Sequence, residues 1–312
     1  TLIGETSLRF GTGVVNLSHR HPIVVAAEAA QFDQLSGGRL MLGVGPGGLT
    51  SDGELFGRPT MEERTRVAME SIEMIIDLWS AEAPIDLDGE FWSARLQSEY
   101  WPSHGVGQLA RPVQRPHPPL AMALSSPDGN SVRTVAERGF IPISANFVPS
   151  SVVAGQWQTY CEVRAERGLP IDPGIWRVCR NILITESDAE AEELTADPDG
   201  TFAHYFRYLG GVRDMPRIRA EEDGLTLSEI NDQYRVPKAI EKCVIAGSAE
   251  TVTERLVALV DEVGPFGTLV AVGHDWDDDG RRWLDSLTAL ATEVAPVLGQ
   301  HVAAAGAGTA AG

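Results

Sequence analysis

The residues best suited to chemistry sit where glycine- and serine-rich stretches end apolar runs. Gly43-Val44-Gly45-Pro46-Gly47-Gly48 closes the run Arg39 to Gly45, which reads as a buried strand. Pro46 interrupts any dinucleotide fingerprint and no helix begins at once, so a Rossmann reading is weak. Either the loop needs positive φ, or the backbone must approach a flat ligand closely. At the C-terminal end of a barrel strand the second reading gains weight. Leu124-Ser125-Ser126-Pro127-Asp128-Gly129-Asn130-Ser131 links a strand to a helix. Its hydroxyls and the free N–H groups of the helix start suit a phosphate, and plain capping by Asn130 or Ser131 explains it equally well. Arg64 and Arg66 oppose the dipole of the helix they begin, which hints at an anionic partner. Ion pairs with Glu62, Glu63 or Glu70 account for either arginine alone.

The histidines are less telling. His19 and His21 lack a third ligand for a metal site. His21 fits a role in ordering its turn, and His19 could face a pocket. His274 ends the last strand, where an acidic loop explains it as well as a barrel site does. His204-Tyr205 lies in a segment of the kind from which substrate lids arise. Cys161, Cys179 and Cys243 form no CxxC or zinc pattern and fit buried thiols in a reducing cytoplasm. No hydrolase triad, glycosidase carboxylate pair, P-loop or metal cluster stands out, and no single catalytic residue is marked.

The elements that must hold these residues follow from periodicity. Leu8 to Leu17 reads as a strand broken by glycines. Pro22 opens a helix through Leu35, stopped by Ser36-Gly37-Gly38. Further helices are expected at Met61–Trp79, Ser131–Arg138, Ser150–Arg167, Asp188–Leu194, Ala249–Val263 and Gly280–Leu298. Further strands are expected at Pro118–Leu124, Gly139–Ser144, Trp176–Thr185 and Thr268–Gly273. Near-continuous apolar strands alternating with helices predict a parallel sheet covered on both faces. One domain over residues 1–302 is expected, with insertions near 82–114 and 197–237. The Ala/Gly tail 303–312 is expected to be disordered.

With 312 residues, 43% of them hydrophobic, the chain can bury a sizeable core. A formal net charge of −19 argues against nucleic acid and anionic membrane surfaces. No apolar run approaches the roughly 18 residues of a bilayer span.

The ordered series Gly11-Thr12-Gly13-Val14-Val15-Asn16-Leu17, His21-Pro22, Leu35-Ser36-Gly37-Gly38-Arg39, Leu42-Gly43-Val44-Gly45 and Phe56-Gly57 resembles the bacterial luciferase-like flavin monooxygenases. Glu70, Leu78-Trp79 and Asp88-Gly89-Glu90-Phe91-Trp92 also fit, and Gly247-Ser248-Ala249-Glu250-Thr251-Val252 echoes the late part of such chains. The Leu49-Thr50-Ser51-Asp52 loop and the Ser-Pro-Asp-Gly segment look most like the limonene monooxygenase branch.

The resemblance implies an α/β fold, a TIM (β/α)8-type barrel, here lacking the first two βα units. It implies a flavin-dependent monooxygenase that uses reduced FMN or FAD and O2 to oxygenate a small hydrophobic substrate. A separate flavin reductase would supply the reduced flavin to a cytoplasmic homodimer. By the same likeness Gly13-Val14 matches a non-proline cis peptide behind the flavin ring. Ser125, Ser126 and Ser131, with Arg64 or Arg66, match the phosphate site, and Gly45 stands where some light-emitting members carry a Cys. An F420-dependent dehydrogenase or reductase on the same barrel is the alternative, and a non-catalytic flavin-binding fragment is a third reading.

Overall fold

A computed structural model describes residues 2–220, 235–276 and 280–309. The chain divides into two compact units, Thr1–Ala123 and Leu124–Gly312.

In the first unit, β1 (Phe10–Gly11) and β2 (Val15–Asn16) both run parallel to β3 (Leu40–Gly45), with Phe10 opposite Leu40 and Asn16 opposite Gly45. The broken strand expected over Leu8–Leu17 is thus two short pieces on one neighbour. On its other side β3 pairs in parallel with β6 (Leu120–Leu124), Gly43 lying opposite Ala121. Helix α1 (Pro22–Leu35) starts as its sequence predicts, with Pro22 in the first turn and the His21 ring accepting the Ile23 N–H. Gly37 and Gly38, at φ 66° and 82°, turn the chain back after it.

A short helix α2 (Thr50–Leu55) precedes α3 (Met61–Ser80), which Thr60 caps by accepting the Glu63 N–H. Val67, Ile72, Ile75, Leu78 and Trp79 of α3 are buried, and the Trp79 indole donates to the Ala26 carbonyl of α1 at 2.9 Å. The insertion near 82–114 contains an antiparallel hairpin, β4 (Ile85–Asp88) with β5 (Ser93–Leu96). The Glu70 carboxylate of α3 fixes its turn by accepting the N–H groups of Glu90, Phe91 and Trp92.

Polar anchors hold the remaining loops of this unit. Asp33 is fully buried, yet its carboxylate accepts the N–H groups of Val113 and Gln114 and the Gln114 amide, at 2.7–3.0 Å. Arg39 donates to the carbonyls of Ile3, Thr6 and Leu8 and lies over the Phe10 ring.

In the second unit, α4 (Asn130–Arg138) leads to β7 (Ile141–Ser144), and α5 (Ser150–Glu166) to β8 (Arg177–Ile184). Next come α6 (Asp188–Ala196), α7 (Thr201–Ala220), α8 (Val236–Cys243), β9 (Val244–Gly247) and α9 (Ala249–Val263). Then follow β10 (Thr268–Val272), α10 (Arg281–Ala289), a π-helical turn at Leu290–Val294 and α11 (Ala295–Thr309). Strand β8 pairs in parallel with β7, β9 and β10, and Asn181 stands opposite both Val244 and Val272.

The six expected strands are present. β9 and the β4–β5 hairpin lie outside the expected strands: β9 follows α8 with no turn residue between them, and the hairpin lacks a buried run. The insertion near 197–237 contributes α7, while its residues 221–234 lie outside the described residues. Helix α11 continues as far as Thr309.

Replacing Asp33 by Ala should orphan three donors at once and cost about 3 kcal/mol of stability. A urea midpoint equal to the parent's would refute this anchoring role.

Candidate functional site

The first candidate lies within the first unit, where Thr12-Gly13-Val14 passes over β3. The Thr12 hydroxyl donates to the Gly43 carbonyl at 2.8 Å, and the Thr12 N–H to the Met41 carbonyl at 3.2 Å. A Cβ on Gly43 would overlap the Thr12 carbonyl oxygen, and one on Gly45 would lie 3.1 Å from a Val14 methyl. The close contact at Gly43 is thus with the chain's own backbone rather than with a ligand. The Gly13–Val14 peptide is cis, as the family resemblance implies. Val14 is 39% exposed, so this apolar side chain faces open space.

The other reading of the glycine loop also holds. Gly47 has φ 82°, and a Cβ there would overlap the Asn16 amide. That amide organises the loop: its Oδ1 accepts from the N–H and hydroxyl of Ser18, so its Nδ2 faces the His19 Nδ1 at 2.8 Å. His19 stacks on Phe56, ring centres 4.2 Å apart, and sits 3.9 Å from Asp52. Burial lowers its pKa, with Asp52 opposing the shift and Arg64 and Arg58 adding to it. His19 is accordingly a neutral ring with its hydrogen on Nε2.

The two arginines are engaged elsewhere in this unit. Arg64 is buried and donates to the carbonyls of Arg58 and Pro59. Its guanidinium fills the space that a side chain on Gly53 would need. Arg66 pairs with Glu90 and lies over the Phe91 ring, both partners of the ion pair being exposed. Sequence spacing could not show this, because Glu90 is 24 residues away.

The serine stretch lies in the second unit. Ser125 and Ser126 are exposed after β6, and Ser131 is half-buried in the first turn of α4. The N-cap of α4 is Gly129, which supplies no side-chain acceptor, and the first turn holds no acidic residue. Neither Asn130 nor Ser131 caps the helix, so its leading N–H groups are available to an anion. Gly155 of α5 makes room for the loop, since a Cβ there would come within 2.8 Å of the Pro127 Cβ.

A further polar cluster in this unit was only partly legible. Asn146, after β7, and Asn181, on β8, are buried and hydrogen-bonded to each other at 2.7 Å. Asn146 also reaches the Tyr205 hydroxyl of α7 at 2.7 Å, and Asn181 the His274 Nε2 at 3.0 Å. Burial lowers the His274 pKa and raises that of Tyr205. His274 and Tyr205 carry sequence signals. The sequence trace of Asn181 is an amide beside Arg180 in a strand that ends in the apolar run Ile182–Ile184.

The three cysteines are free thiols, and burial pushes Cys179 up to about 11. Among the described residues there is no metal-binding cluster and no helix long and apolar enough to cross a membrane.

Comparison with known proteins shows the family and the fold. The family model described as luciferase-like monooxygenase matches residues 2–265. A 4-hydroxyprotoasukamycin monooxygenase of Streptomyces nodosus subsp. asukaensis is 31% identical, over 87% of this chain and 69% of its own. A limonene 1,2-monooxygenase of Rhodococcus erythropolis is 24% identical, over 93% of this chain and 68% of its own. Among solved structures, the oxygenating constituent of the 3,6-diketocamphane monooxygenase of Pseudomonas putida, in complex with FMN, has a TM-score of 0.76 and 26% identity. That match covers 95% of this chain and 82% of the other. The fold is accordingly the luciferase-like TIM-barrel type.

Two expectations follow from the geometry. Gly43→Ala should force Thr12 away from β3 and cost roughly 1–3 kcal/mol, read as a lower melting temperature; an unchanged Tm would exclude the close contact. For His274, the folded pKa is below the ordinary 6.5, so the unfolded chain binds more protons as the pH falls. Its contribution to stability is complete above that value and is lost on acidification. His274→Gln should therefore flatten the decline of Tm between about pH 7 and 5, and a slope identical to the parent's would refute the assignment.

Proposed function

The chain belongs to the luciferase-like monooxygenase family, and on that premise we propose a site for its flavin and a class for its substrate. The protein is a flavin-dependent monooxygenase, an oxidoreductase that incorporates oxygen, with a reduced flavin as its cofactor. The FMN-bound relative favours FMN over FAD.

We assign the ring-contacting part of the site to Gly13, Val14 and Gly45 in the first unit. The observation that carries this is the open, apolar Val14 surface at the cis peptide, held in position by side-chain-free Gly43 and Gly45. We assign the phosphate-contacting part to Ser125, Ser126 and Ser131 in the second unit, where the uncapped start of α4 fits a dianion. Arg64 supports the Arg58–Pro59 turn in this reading, and the exposed Arg66, paired with Glu90, remains a candidate anion ligand of the first unit.

When bound, reduced flavin would supply the electrons that activate O2. The chain's own residues then have narrower tasks. Val14 excludes water from one face, and the serine hydroxyls with the α4 N–H groups fix the phosphate end. The substrate in this reading is a small hydrophobic compound, a class that includes the limonene and diketocamphane of the relatives' names. One relative is named as an oxygenase component, which supports delivery of reduced flavin by a separate reductase. A homodimer and a cytoplasmic location belong to the same proposal, the latter supported by the three free thiols.

The deazaflavin F420 is the weaker alternative. A coenzyme F420-dependent oxidoreductase of Mycobacterium tuberculosis matches only 44% of this chain.

Anaerobic titration with reduced FMN, FAD and F420 tests the cofactor. FMN is expected to bind most tightly, and Ser125→Ala with Ser126→Ala to weaken it about tenfold. Preferred binding of F420 without O2 consumption would select the hydride-transfer alternative. Normal FMN affinity in the double variant would remove the serines from the site.

A further inference from the structure

Within the second unit, the direction of every hydrogen bond in the Asn146–Asn181–Tyr205–His274 cluster follows from donor and acceptor chemistry. Asn181 directs its amide nitrogen to two carbonyls, those of Asn146 at 3.0 Å and Cys243 at 2.9 Å. Both amide hydrogens are therefore committed, and its Oδ1 can only accept. That oxygen receives the Asn146 Nδ2 at 2.7 Å and faces the His274 Nε2 at 3.0 Å. The imidazole hydrogen must accordingly sit on Nε2. The second hydrogen of the Asn146 amide goes to the Tyr205 hydroxyl oxygen at 2.7 Å.

Two groups are left over. The Tyr205 hydroxyl accepts from Asn146 while its own hydrogen is uncommitted, and the His274 Nδ1 keeps a lone pair. Neither meets another hydrogen-bond partner among the described residues. Both residues are half-buried, so neither is sealed from solvent. The surroundings are aromatic: Phe202 meets the His274 ring edge-on at 5.2 Å, and Trp276 meets Phe202 edge-on at 4.9 Å. The Trp276 indole nitrogen is buried without an acceptor.

We propose that Tyr205 and His274 form the polar end of the substrate site and select a neutral hydroxyl-bearing compound, a phenol or an alcohol. The substrate oxygen accepts the Tyr205 hydrogen, and the substrate hydrogen goes to the His274 Nδ1. A hydrocarbon would leave both groups unpaired. A ketone offers Nδ1 no hydrogen, and a carboxylate would set its charge against that lone pair. This inference rests on the flavin monooxygenase reading and specifies the substrate class for it.

The test is calorimetric binding of p-cresol, 4-methylanisole and p-xylene to the full chain, with reduced FMN binding measured in parallel. The parent should bind p-cresol about tenfold more tightly than p-xylene, with 4-methylanisole between them. Tyr205→Phe removes the donor. His274→Gln keeps a donor toward Asn181 but loses Nδ1. Each should weaken p-cresol about five- to tenfold and leave p-xylene and FMN unchanged. Equal affinity of the parent for p-cresol and p-xylene, or p-cresol binding unmoved by both substitutions, overturns the proposal even when FMN binds. Loss of FMN binding in the parent with the cresol contrasts intact overturns the flavin reading and leaves the hydroxyl site standing.

Discussion

The first unit is organised around one contact between two stretches of backbone. Thr12 lies so close to Gly43 that no Cβ fits between them, and its side chain hydrogen-bonds the same residue. A glycine on the strand is normally a weakness, because it loses more conformational freedom on folding than any other residue. Here it lets a second chain segment lie flat on β3. That contact sets where the cis Gly13–Val14 peptide sits and which way Val14 faces. The rest of the loop follows: Asn16 comes level with Gly45 and meets Gly47, and through Asn16 the positions of Ser18 and His19 are set.

Buried and half-buried polar groups do the same work for the surrounding segments. Asp33 collects three donors from Val113 and Gln114, Glu70 three backbone N–H groups from the β4–β5 turn, and Arg39 three carbonyls from the chain before β1. In each case one side chain satisfies several loop groups that have no sheet or helix partner. Losing it would leave all of them unpaired together, which costs more than a single hydrogen bond contributes. The luciferase-like motifs Ser36-Gly37-Gly38-Arg39 and Asp88-Gly89-Glu90-Phe91-Trp92 can be understood in these terms, as clamps on loops.

The second unit relies on amides in the same way. Asn181 is buried on β8 with all its polar atoms used, and it joins β8 to the Asn146 backbone, to Cys243 and to His274. Because the amide is saturated it has one orientation, and the imidazole beside it has one tautomer. Saturated amides at the centre of a network hold their neighbours rigidly. The groups at its margin, Tyr205 and His274, therefore present fixed donor and acceptor positions. The serine loop has the opposite character. Gly129 offers nothing to the helix start, and the N–H groups there are left for a ligand.

The sequence by itself determined the alternation of strands and helices, the six strand positions, most helix boundaries and the family. These depend on periodicity, on caps such as Thr60 and Ser248, and on glycines whose backbone requirement is local. It also marked Gly13, Gly45, Ser125 and Ser126, because short motifs carry them. What only the tertiary structure decided was the partner of each long side chain. Arg64 turns to nearby carbonyls and Arg66 to a glutamate beyond the next turn. The N-terminus of α4 is capped by no side chain, and a buried asparagine on β8 organises a histidine 93 residues later. A flexible side chain can reach many acceptors near it in sequence. Which one it takes depends on what the fold brings within about 3 Å, and spacing along the chain does not encode that.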